Sequence, residues 1–467
     1  MPRNDARTMT LLRQHARTAT AFQVLAPGMS HWFAAHQQGD DSTATPARHH
    51  STPGENDDCG MIGYADTGGA WVTAGEPIAS RENTIAVAEM FVAHAHAMDK
   101  RVAFFATEGA LAASPRFRRI LIGEQPVWNP AEWAEVLRAH KSLREQLRRA
   151  RAKGVKVRAV AHDDYTLDNA LDALVQRWLA TRPMPTMHFL VEMEPVVHRA
   201  ERLLFVAERA GVPVGFLSMA PVAARNGWLF EHVLRDPAAP NGSAELLIDF
   251  AMRDLHARGV TWATLGLAPL AGNVAGWLRV ARTTARPFFN FDGLASFKRK
   301  LRPTSWQAIY LVFPRERSSV MAMLDSLRAF AGESLLRFAA HTVLRGPAPL
   351  LRALELSLVP WTIALALWPA ESWFPSPWVK WGWVAFDVML LIGLRQLRQR
   401  WTRRLAVMIA SAVSLDTALT FLQAATWNVS RVRTVLEVMM VIVACAAPAL
   451  AAVVLWGAVR RRGTLRD

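Results

Sequence analysis

The segment Phe291–Trp306, FDGLASFKRKLRPTSW, places four cations close together and contains one acid, Asp292. A solvated surface helix interleaves acids with its cations, and this segment does not. The last residue of this segment, Trp306, also begins the run WQAIYLVFP at 306–314. This run is aromatic and apolar and predicts a strand. A cationic segment leading into a buried strand predicts a place where the fold meets an anionic ligand.

The overall charge points to an anionic partner as well. The chain has 467 residues, enough for two or three domains, with 54 Lys and Arg against 39 Asp and Glu and a net charge of +15. Such an excess suits a nucleic acid or an anionic membrane surface. Two distant cysteines, Cys59 and Cys445, provide neither a disulfide framework nor a metal cluster, so we predict a reducing compartment and no metal. No cofactor is predicted either.

The composition becomes strongly apolar beyond Leu350. Four apolar runs follow, and the last two are long enough to cross a bilayer core, which takes about 20 residues. The runs are Leu354–Ala370, Trp378–Leu394, Leu405–Ala425 and Val435–Val459. Arginine-rich segments at 395–404 and 460–462 are typical of cytoplasmic loops. The pattern predicts about four spans in a bacterial inner membrane, with the N-terminal part in the cytoplasm.

The part before the apolar runs alternates helix and strand patterns. An α/β unit occurs twice, at roughly 20–180 and 185–315, so an α/β (α+β) class is predicted. The predicted organisation has a flexible segment, two α/β domains, an amphipathic linker helix and a transmembrane helical domain. Their ranges are 1–58, 59–182, 183–316, 317–350 and 351–467.

Several segments, in chain order, resemble the catalytic domain of the phosphatidylglycerol lysyltransferase/alanyltransferase family. These proteins are also called multiple peptide resistance factors or aminoacyl-phosphatidylglycerol synthases. The resemblance covers about 60–313. Its segments are GYADTGGAWVTAGEPIA (63–79), RVAFFAT (101–107), ILIGEQPVWNP (120–130), SLREQLRRARAKGVKV (142–157), GFLSMAPV (215–222), RDPAAPNGSAELLID (235–249), LGLAPLAG (265–272) and FDGLASFKRKLRPTSWQAIYL (291–311).

The resemblance implies tandem GNAT-like acyltransferase domains. It also implies transfer of an aminoacyl group from aminoacyl-tRNA to the headgroup hydroxyl of phosphatidylglycerol or a related anionic phospholipid, which alters membrane surface charge. An aminoacyl-tRNA ester is already activated, and the sequence has no Walker A loop for ATP. Positioning and charge stabilisation carry most of such a reaction.

The two lysines Lys298 and Lys300 match the lysines of the family's closing signature. The resemblance implies that they are catalytic, by binding a lipid or tRNA phosphate or by stabilising the developing oxyanion. Arg302 falls at a variable position of the signature and is a weaker substrate-binding candidate. The alternative is a basic face that rests on lipid headgroups.

The segment 235–249 supplies the second group of candidates. Glu245 matches an acidic family position and is a catalytic candidate, either as a general base or as the partner of the aminoacyl ammonium. An acid in a first helical turn is also explained by the helix dipole alone. Asp249 shares its helix face, and Arg235 and Asn241 precede the helix. All three are candidates for substrate binding.

The long helix pattern Ala131–Gly154 is cationic toward its C-terminal end. Arg144 and Arg148 are the candidates there for contact with the tRNA acceptor stem, and a solvated helix end is the alternative. Upstream of Arg235, Glu231 and His232 adjoin each other in an apolar strand, where alternation places one of them inward.

Two other functions compete with this one. A GNAT-type acyltransferase would use acyl-CoA, but we find no glycine-rich pyrophosphate loop between a strand and a helix. A non-catalytic membrane module that binds lipid or tRNA would not need Lys298, Lys300, Arg235 and Glu245 together. The amino acid, the acceptor lipid and the oligomeric state are open at this point.

Overall fold

The structure is a computed structural model, and it describes residues 3–35, 58–182, 187–285, 289–332, 334–335, 337–338, 347–367, 373–399, 402–432 and 434–463. The strands are β1 (Ser30–Ala35), β2 (Asp58–Asp66), β3 (Ala70–Ala74), β4 (Ile78–Ala79), β5 (Arg101–Thr107), β6 (Phe117–Trp128), β7 (Val155–Val160), β8 (Leu203–Arg209), β9 (Val212–Val222), β10 (Gly227–Arg235), β11 (Trp262–Thr264), β12 (Ala268–Pro269) and β13 (Ser305–Pro314).

The helices of the first three hundred or so residues alternate with these strands. They are α1 (Arg3–His15), α2 (Thr84–Ala97), α3 (Ala110–Ala113), α4 (Trp133–Ala139), α5 (Lys141–Ala152), α6 (Asp168–Ala180), α7 (Ser243–Ala257), α8 (Gly276–Ala285), α9 (Phe291–Lys300) and α10 (Ser319–Ala331). The apolar C-terminal part forms α11 (Pro347–Leu367), α12 (Pro377–Gln399), α13 (Arg403–Gln423) and α14 (Val435–Gly463).

Two compact units divide the chain. The sheet unit comprises Met1–Arg182 and Thr186–Leu335, and the helical unit comprises Leu336–Asp467 together with Pro183–Pro185. The sheet unit contains one mixed sheet of 13 strands, in the order β1-β2-β3-β5-β13-β6-β11-β10-β9-β8-β7, with β4 on β2 and β12 on β6. The predicted α/β class is confirmed.

The cationic segment leads into the centre of this sheet. Asn290 caps α9 by accepting from the Gly293 amide at 2.8 Å, and the Trp128 indole donates to the Leu301 carbonyl at 3.0 Å just after the helix. The strand β13 then pairs with both β5 and β6. A strand from the second predicted domain thus lies between strands of the first, so the sheet runs across the boundary predicted at 182/183.

Helices cover both faces of the sheet, as strand alternation requires. On β8, Phe205 and Ala207 belong to the apolar cluster formed with α5 and α7, while Leu204 and Val206 belong to the cluster formed with α6. Full burial of one such large apolar side chain contributes about 1.5–3 kcal/mol. This packing fixes α7, the helix that carries Glu245, against the sheet.

The N-terminal segment differs from its prediction. A flexible segment was expected over 1–58, but 3–35 are folded: α1 buries Met9 and Leu12, and β1 pairs with β2 through Trp32 and Ile62. The apolar residues of this segment complete the core beside β2. The free energy gained by burying them offsets the conformational entropy lost when the segment is ordered. Residues 36–57 lie outside the described residues.

The predicted linker helix begins as part of the sheet unit. Buried Ala322 and Ala329 place α10 on the sheet, and Asp325 accepts hydrogen bonds of 2.8 and 2.7 Å from the guanidinium of Arg101. The helix ends at Gly332, which is left-handed with φ of 69°. Its other face is apolar and exposed. Val320, Met321, Leu324 and Leu327 form that face.

Three helices of the helical unit are long and apolar enough to cross a membrane: Pro377–Leu397, Arg403–Asn428 and Glu437–Gly457. A shorter apolar helix spans Leu354–Leu367. Buried Leu394, Ile409 and Leu455 bring α12, α13 and α14 into one apolar core. The first of the four predicted spans corresponds to this shorter helix, so that span stays a prediction.

Candidate functional site

The crossover from β10 through α7 to β11 leads to the place where these two parallel strands separate, here called the crevice. The pairing of β10 with β11 covers only three positions, from Gly227 opposite Trp262 to Leu229 opposite Thr264. Beyond Thr264 the chain leaves β10 but remains paired with β6, first through β11 and then through β12. Ligands of α/β proteins bind where neighbouring parallel strands separate in this way, and α7 begins at the same edge.

A glycine fixes the start of α7 against α5. Gly242 is left-handed with φ of 98°, and a Cβ there would lie 2.6 Å from the backbone oxygen of Gln146. The Ser243 hydroxyl donates to the Pro240 carbonyl at 2.7 Å and closes the turn. Only glycine combines this backbone conformation with this approach, so the predicted Asn-Gly turn sets the position of the first turn of α7.

The first turn of α7 carries Glu245, whose side chain is 7% exposed and which meets Lys300 from the end of α9. Its Oε1 accepts from the Lys300 ammonium at 3.1 Å and from the Gln146 amide at 2.7 Å. Among the described residues, Oε2 accepts no hydrogen bond. Lys300 is 43% exposed, so the pair has one side on the protein and one side open to a ligand.

Lys298 has a different environment from Lys300. It is 4% exposed, and its ammonium donates to the carbonyls of Leu265, Gly266 and Leu267 at 2.9, 2.8 and 2.8 Å. Burial lowers the pKa of Lys298 to about 7, while three carbonyl oxygens match the three hydrogens of the ammonium form. Lys298 thus holds the chain where it leaves β11, and its hydrogens are already used within the protein.

Asp249 lies one turn after Glu245 and is fully engaged by protein donors. Its carboxylate accepts from the Trp133 indole at 3.0 Å, from Arg151 at 2.7 Å and from Arg253 at 3.0 Å. The side chain is 1% exposed. It fastens α4 and α5 to α7, and the structure leaves it no open side for the predicted substrate contact.

The remaining candidates near α7 lie at the end of β10 and on loops. Arg235 donates to Asn241 at 3.1 Å, which links the end of β10 to the turn before α7, and Asn241 is exposed. Arg302 is exposed and left-handed, with φ of 53°, in the connection from α9 to β13. Arg235 is partly exposed and Arg302 is exposed, and neither contacts Glu245 in the described structure.

The predicted long helix breaks at His140 into α4 and α5. His140 is extended, with φ of −116° and ψ of 92°, and Arg144 folds back to donate to the carbonyls of Leu137, at 2.6 Å, and Arg138. Arg148 forms an exposed ion pair with Glu145 at 2.9 Å.

The arginines predicted for tRNA are therefore both partnered within the chain. Arg138, Lys141, Arg149 and Lys153 are exposed cations of this region that form neither an ion pair nor a side-chain hydrogen bond among the described residues.

Sequence reasoning missed a buried charge network on β10. A β-bulge between Phe230 and His232 breaks the alternation, and both Glu231 and His232 are buried. Arg202 donates to Glu231 and to the Ser218 hydroxyl, the latter at 3.3 Å. Burial lowers the pKa of His232, so its ring is neutral near pH 7. Burial acts to raise the pKa of Glu231, but the charge of Arg202 and the hydrogen bonds from Arg202 and Gln23 lower it overall.

A second buried acid lies beside the start of β10. Glu108 accepts from the Ala19 amide at 3.2 Å and pairs with Arg225 at 2.8 Å. Burial raises the pKa of Glu108 in spite of Arg225. The sequence signal for both networks is an acid next to apolar strand residues, as in WLFEHVL at 228–234. The partners come from distant segments, so the pattern does not identify them.

A cavity of the sheet unit lies away from the predicted site residues. A cavity of about 430 Å³ in the sheet unit is lined by Asp66, His188, Glu192 and Arg328 among others, and it contains none of the predicted site residues. Within the described ranges, no group of three or more His, Cys, Asp or Glu side chains could hold a metal ion.

Most of the sheet unit matches the model of one protein family. The family model described as phosphatidylglycerol lysyltransferase, C-terminal, matches residues 10–313. No curated protein sequence matches the chain.

Two solved structures share the fold. The C-terminal domain (DUF2156) of a putative lysylphosphatidylglycerol synthetase from Agrobacterium fabrum is 21% identical, with a TM-score of 0.57, covering 71% of this chain and 97% of its own. L-PGS from Bacillus licheniformis is 17% identical, also with a TM-score of 0.57, covering 69% and 95%.

Proposed function

Because the family's C-terminal model matches residues 10–313, this chain belongs to the phosphatidylglycerol lysyltransferase family, and we propose that it moves an aminoacyl group from aminoacyl-tRNA to phosphatidylglycerol or a related anionic lipid. The family and the three apolar helices make it a membrane protein with a lipid-modifying unit. The sheet unit would act as two GNAT-like halves on the cytoplasmic side of a bacterial inner membrane, anchored by about four spans.

The observation that carries this proposal is the Lys300–Glu245 pair at the crevice. The oxygen of a lipid glycerol hydroxyl would attack the ester carbonyl carbon, the bond to the tRNA ribose oxygen would break, and the hydroxyl proton would pass to that leaving oxygen. Lys300, 43% exposed, supplies a positive charge for the oxyanion or a phosphate, and the N-terminus of α7 adds its amides. The free Oε2 of Glu245 accepts the α-ammonium of the aminoacyl group.

The other candidates take supporting roles. Lys298 is a positioning residue that holds Leu265–Leu267 at the edge of the crevice. Arg235, Asn241 and Arg302 are at least partly exposed and could contact a phosphate. Lys141, Arg149 and Lys153 offer a sequence-independent contact to the tRNA backbone. A product with added positive charge reduces the attraction of the membrane for cationic peptides.

Lipid mass spectrometry of a bacterium that lacks aminoacylated lipids tests the proposal. The unmodified chain is expected to produce a new aminoacyl-phospholipid, whose mass identifies the amino acid and the acceptor. The Lys300→Ala/Glu245→Ala variant, present in the membrane at the same level, is expected to produce none. No new lipid from the unmodified chain would overturn this reaction in that host and favour the non-catalytic binding module.

A further inference from the structure

Helix α10 presents an apolar surface that the proposed reaction does not use. Val320, Met321, Leu324 and Leu327 lie along one side of the helix and are between 37% and 51% exposed. Their spacing of three, four and seven positions places them in one stripe along the helix, here called the aliphatic stripe. The stripe lies beyond residues 10–313, the part of the chain that the family model matches.

The aliphatic stripe cannot turn into the protein, because the opposite side of α10 is fixed to the sheet. The Asp325 carboxylate is buried and accepts from the Arg101 guanidinium at 2.8 and 2.7 Å. In the last turn of the helix, the ring centre of Phe330 lies 5.0 Å from that of Phe105 and 5.3 Å from that of Phe189. Contiguous apolar side chains that are held at a surface usually mark an interaction site.

The course of the chain indicates which partner covers the stripe. Helix α10 ends at Gly332, and the apolar helix α11 begins soon afterwards, at Pro347. Helices α12–α14 then contain the three segments that are long and apolar enough to cross a membrane. In sequence, α10 therefore directly precedes the part of the chain that holds the protein in a bilayer.

The charge around the stripe suits an anionic membrane surface. Arg315 and Arg317 are exposed just before the helix, and Arg328 is exposed in its last turn. Asp325 is buried, so Glu316 is the one exposed acid between Arg315 and the end of α10. An interfacial helix combines an apolar side with cations, because the apolar side enters the acyl boundary while the cations meet lipid phosphates.

We propose that α10 is an interfacial helix that docks the sheet unit on an anionic bilayer. The aliphatic stripe enters the boundary between headgroups and acyl chains, about 5–10 Å deep, and Arg315 and Arg317 contact lipid phosphates. The docked helix limits the orientations in which the sheet unit meets the membrane. Its benefit rests on the proposed function, because an enzyme that modifies a lipid headgroup works at the bilayer surface. The docking itself needs no transfer reaction.

A fluorophore attached to a single cysteine of the full chain tests the docking. Cys59→Ser and Cys445→Ala remove the native thiols, and an environment-sensitive fluorophore is attached through Leu324→Cys. The chain is placed in nanodiscs of phosphatidylglycerol and phosphatidylcholine without tRNA. The emission is expected to shift to shorter wavelength and to be quenched by lipids that carry a nitroxide near the headgroup. The same label at Val212→Cys, an exposed apolar position of β9, is the control and is expected to show neither effect.

Two double variants identify what holds the helix on the membrane. With the label at Met321→Cys, the Leu324→Gln/Leu327→Gln chain is expected to lose both the shift and the quenching, because half of the stripe is gone. The Arg315→Gln/Arg317→Gln chain is expected to lose the extra quenching that phosphatidylglycerol gives over phosphatidylcholine alone. All four positions are exposed, so the melting temperature is expected to change little.

The transfer activity supplies a second measurement. Leu324→Gln/Leu327→Gln is expected to lower transfer to phosphatidylglycerol in vesicles and to leave unchanged the transfer to a short-chain phosphatidylglycerol dissolved in water. Val212→Gln, which also removes an exposed apolar side chain, is the matched control and is expected to change neither. An equal loss with both lipids would show that the stripe acts through the fold, and would overturn the docking.

The fluorescence results can also overturn the assignment. Equal exposure of the Leu324→Cys and Val212→Cys labels to water would show that α10 does not touch the membrane. A Leu324→Cys label that is shielded from water but not quenched by nitroxide lipids would show that protein covers the stripe. Lipid quenching without any aminoacyl transfer would refute the proposed reaction and leave α10 assigned, whereas transfer with an unquenched label would refute the docking alone.

Discussion

The Lys300 ammonium lies 3.1 Å from Oε1 of Glu245, a contact between side chains 55 positions apart that joins the end of α9 to the first turn of α7. With Lys300 about half exposed, solvent screening keeps the contribution of this pair to stability small. Its value is positional, because it places a cation and a carboxylate oxygen side by side at the crevice.

Replacing Lys300 by Ala is expected to lower the rate of lipid aminoacylation by about 10²–10³, the typical effect of removing one oxyanion-stabilising group. Glu245→Gln is expected to weaken use of the aminoacyl substrate, since a neutral amide is a poorer partner for an ammonium. The rates are measured with purified chain, and the melting temperature is expected to change little. Arg258→Ala, which breaks an exposed pair at the other end of α7, is the matched control and is expected to retain full activity.

Lys298→Met is expected to act through stability. The change leaves the carbonyls of Leu265, Gly266 and Leu267 without their shared donor, and one unsatisfied buried group costs about 1–3 kcal/mol. The melting temperature of the purified chain is expected to fall, and activity with it. A Lys298→Met chain that melts normally but is inactive would instead indicate direct contact with substrate.

The buried ring of His232 predicts a loss of stability in acid. Because its pKa is lowered in the folded protein, the unfolded chain binds more protons below its ordinary pKa of about 6.5, so the stabilisation is complete above that pH and lost as pH falls further. The lowered pKa of Glu231 has the same effect, because its stabilisation is also lost as pH falls below the ordinary pKa of a glutamate.

The free energy of unfolding of the unmodified chain is expected to fall more steeply between pH 7 and 5 than that of His232→Gln, by up to about 1.4 kcal/mol per pH unit. Chemical denaturation at several pH values measures both chains. Parallel curves would contradict a neutral, buried His232.

Gly242→Ala is expected to destabilise the chain by more than the usual cost of a left-handed alanine, which is about 1–2 kcal/mol. The added methyl would lie 2.6 Å from the Gln146 oxygen and push α7 from α5. Gly154→Ala is the control, because Gly154 is also left-handed but has nothing within 4 Å of its Cβ position. Thermal unfolding compares the two, and equal losses would contradict the close approach.

The exposed cations Lys141, Arg149 and Lys153 are expected to bind the tRNA backbone. Replacing all three by Ala removes up to three phosphate contacts, so the slope of log K against log salt is expected to fall by about 2 to 3. Filter binding at several salt concentrations measures it. Arg116→Ala, an exposed arginine paired with Glu89, is the control and is expected to leave the slope unchanged. An unchanged slope in the triple variant would place tRNA elsewhere.

The sequence predicted several residues of the site but not the contacts that they make. Lys298 and Lys300 were predicted together, yet residues two apart on a helix point to different sides, which is why one is buried and the other meets Glu245. The sequence also could not show that Glu231 and His232 are both buried, because a bulge in β10 breaks the alternation on which strand predictions rest.

The α/β class followed from local patterns, but the strand order did not. The place of β13 between β5 and β6 depends on contacts across about 200 residues, as in the Thr107–Tyr310 hydrogen bond with its separation of 203. The folded N-terminal segment was missed because the polar residues after Ala35 obscure the apolar side chains of α1 and β1. Their burial becomes visible only with the sheet in place.

Reconstitution of the transfer tests the central claim most directly. The purified full chain is mixed with phosphatidylglycerol vesicles and, in turn, with each of a set of radiolabelled aminoacyl-tRNAs. At least one aminoacyl-tRNA is expected to pass its label to the lipid with the unmodified chain and not with Lys300→Ala. Failure of every aminoacyl-tRNA to label the lipid, with the chain folded and tRNA bound, would contradict the account, as would labelling from acyl-CoA alone.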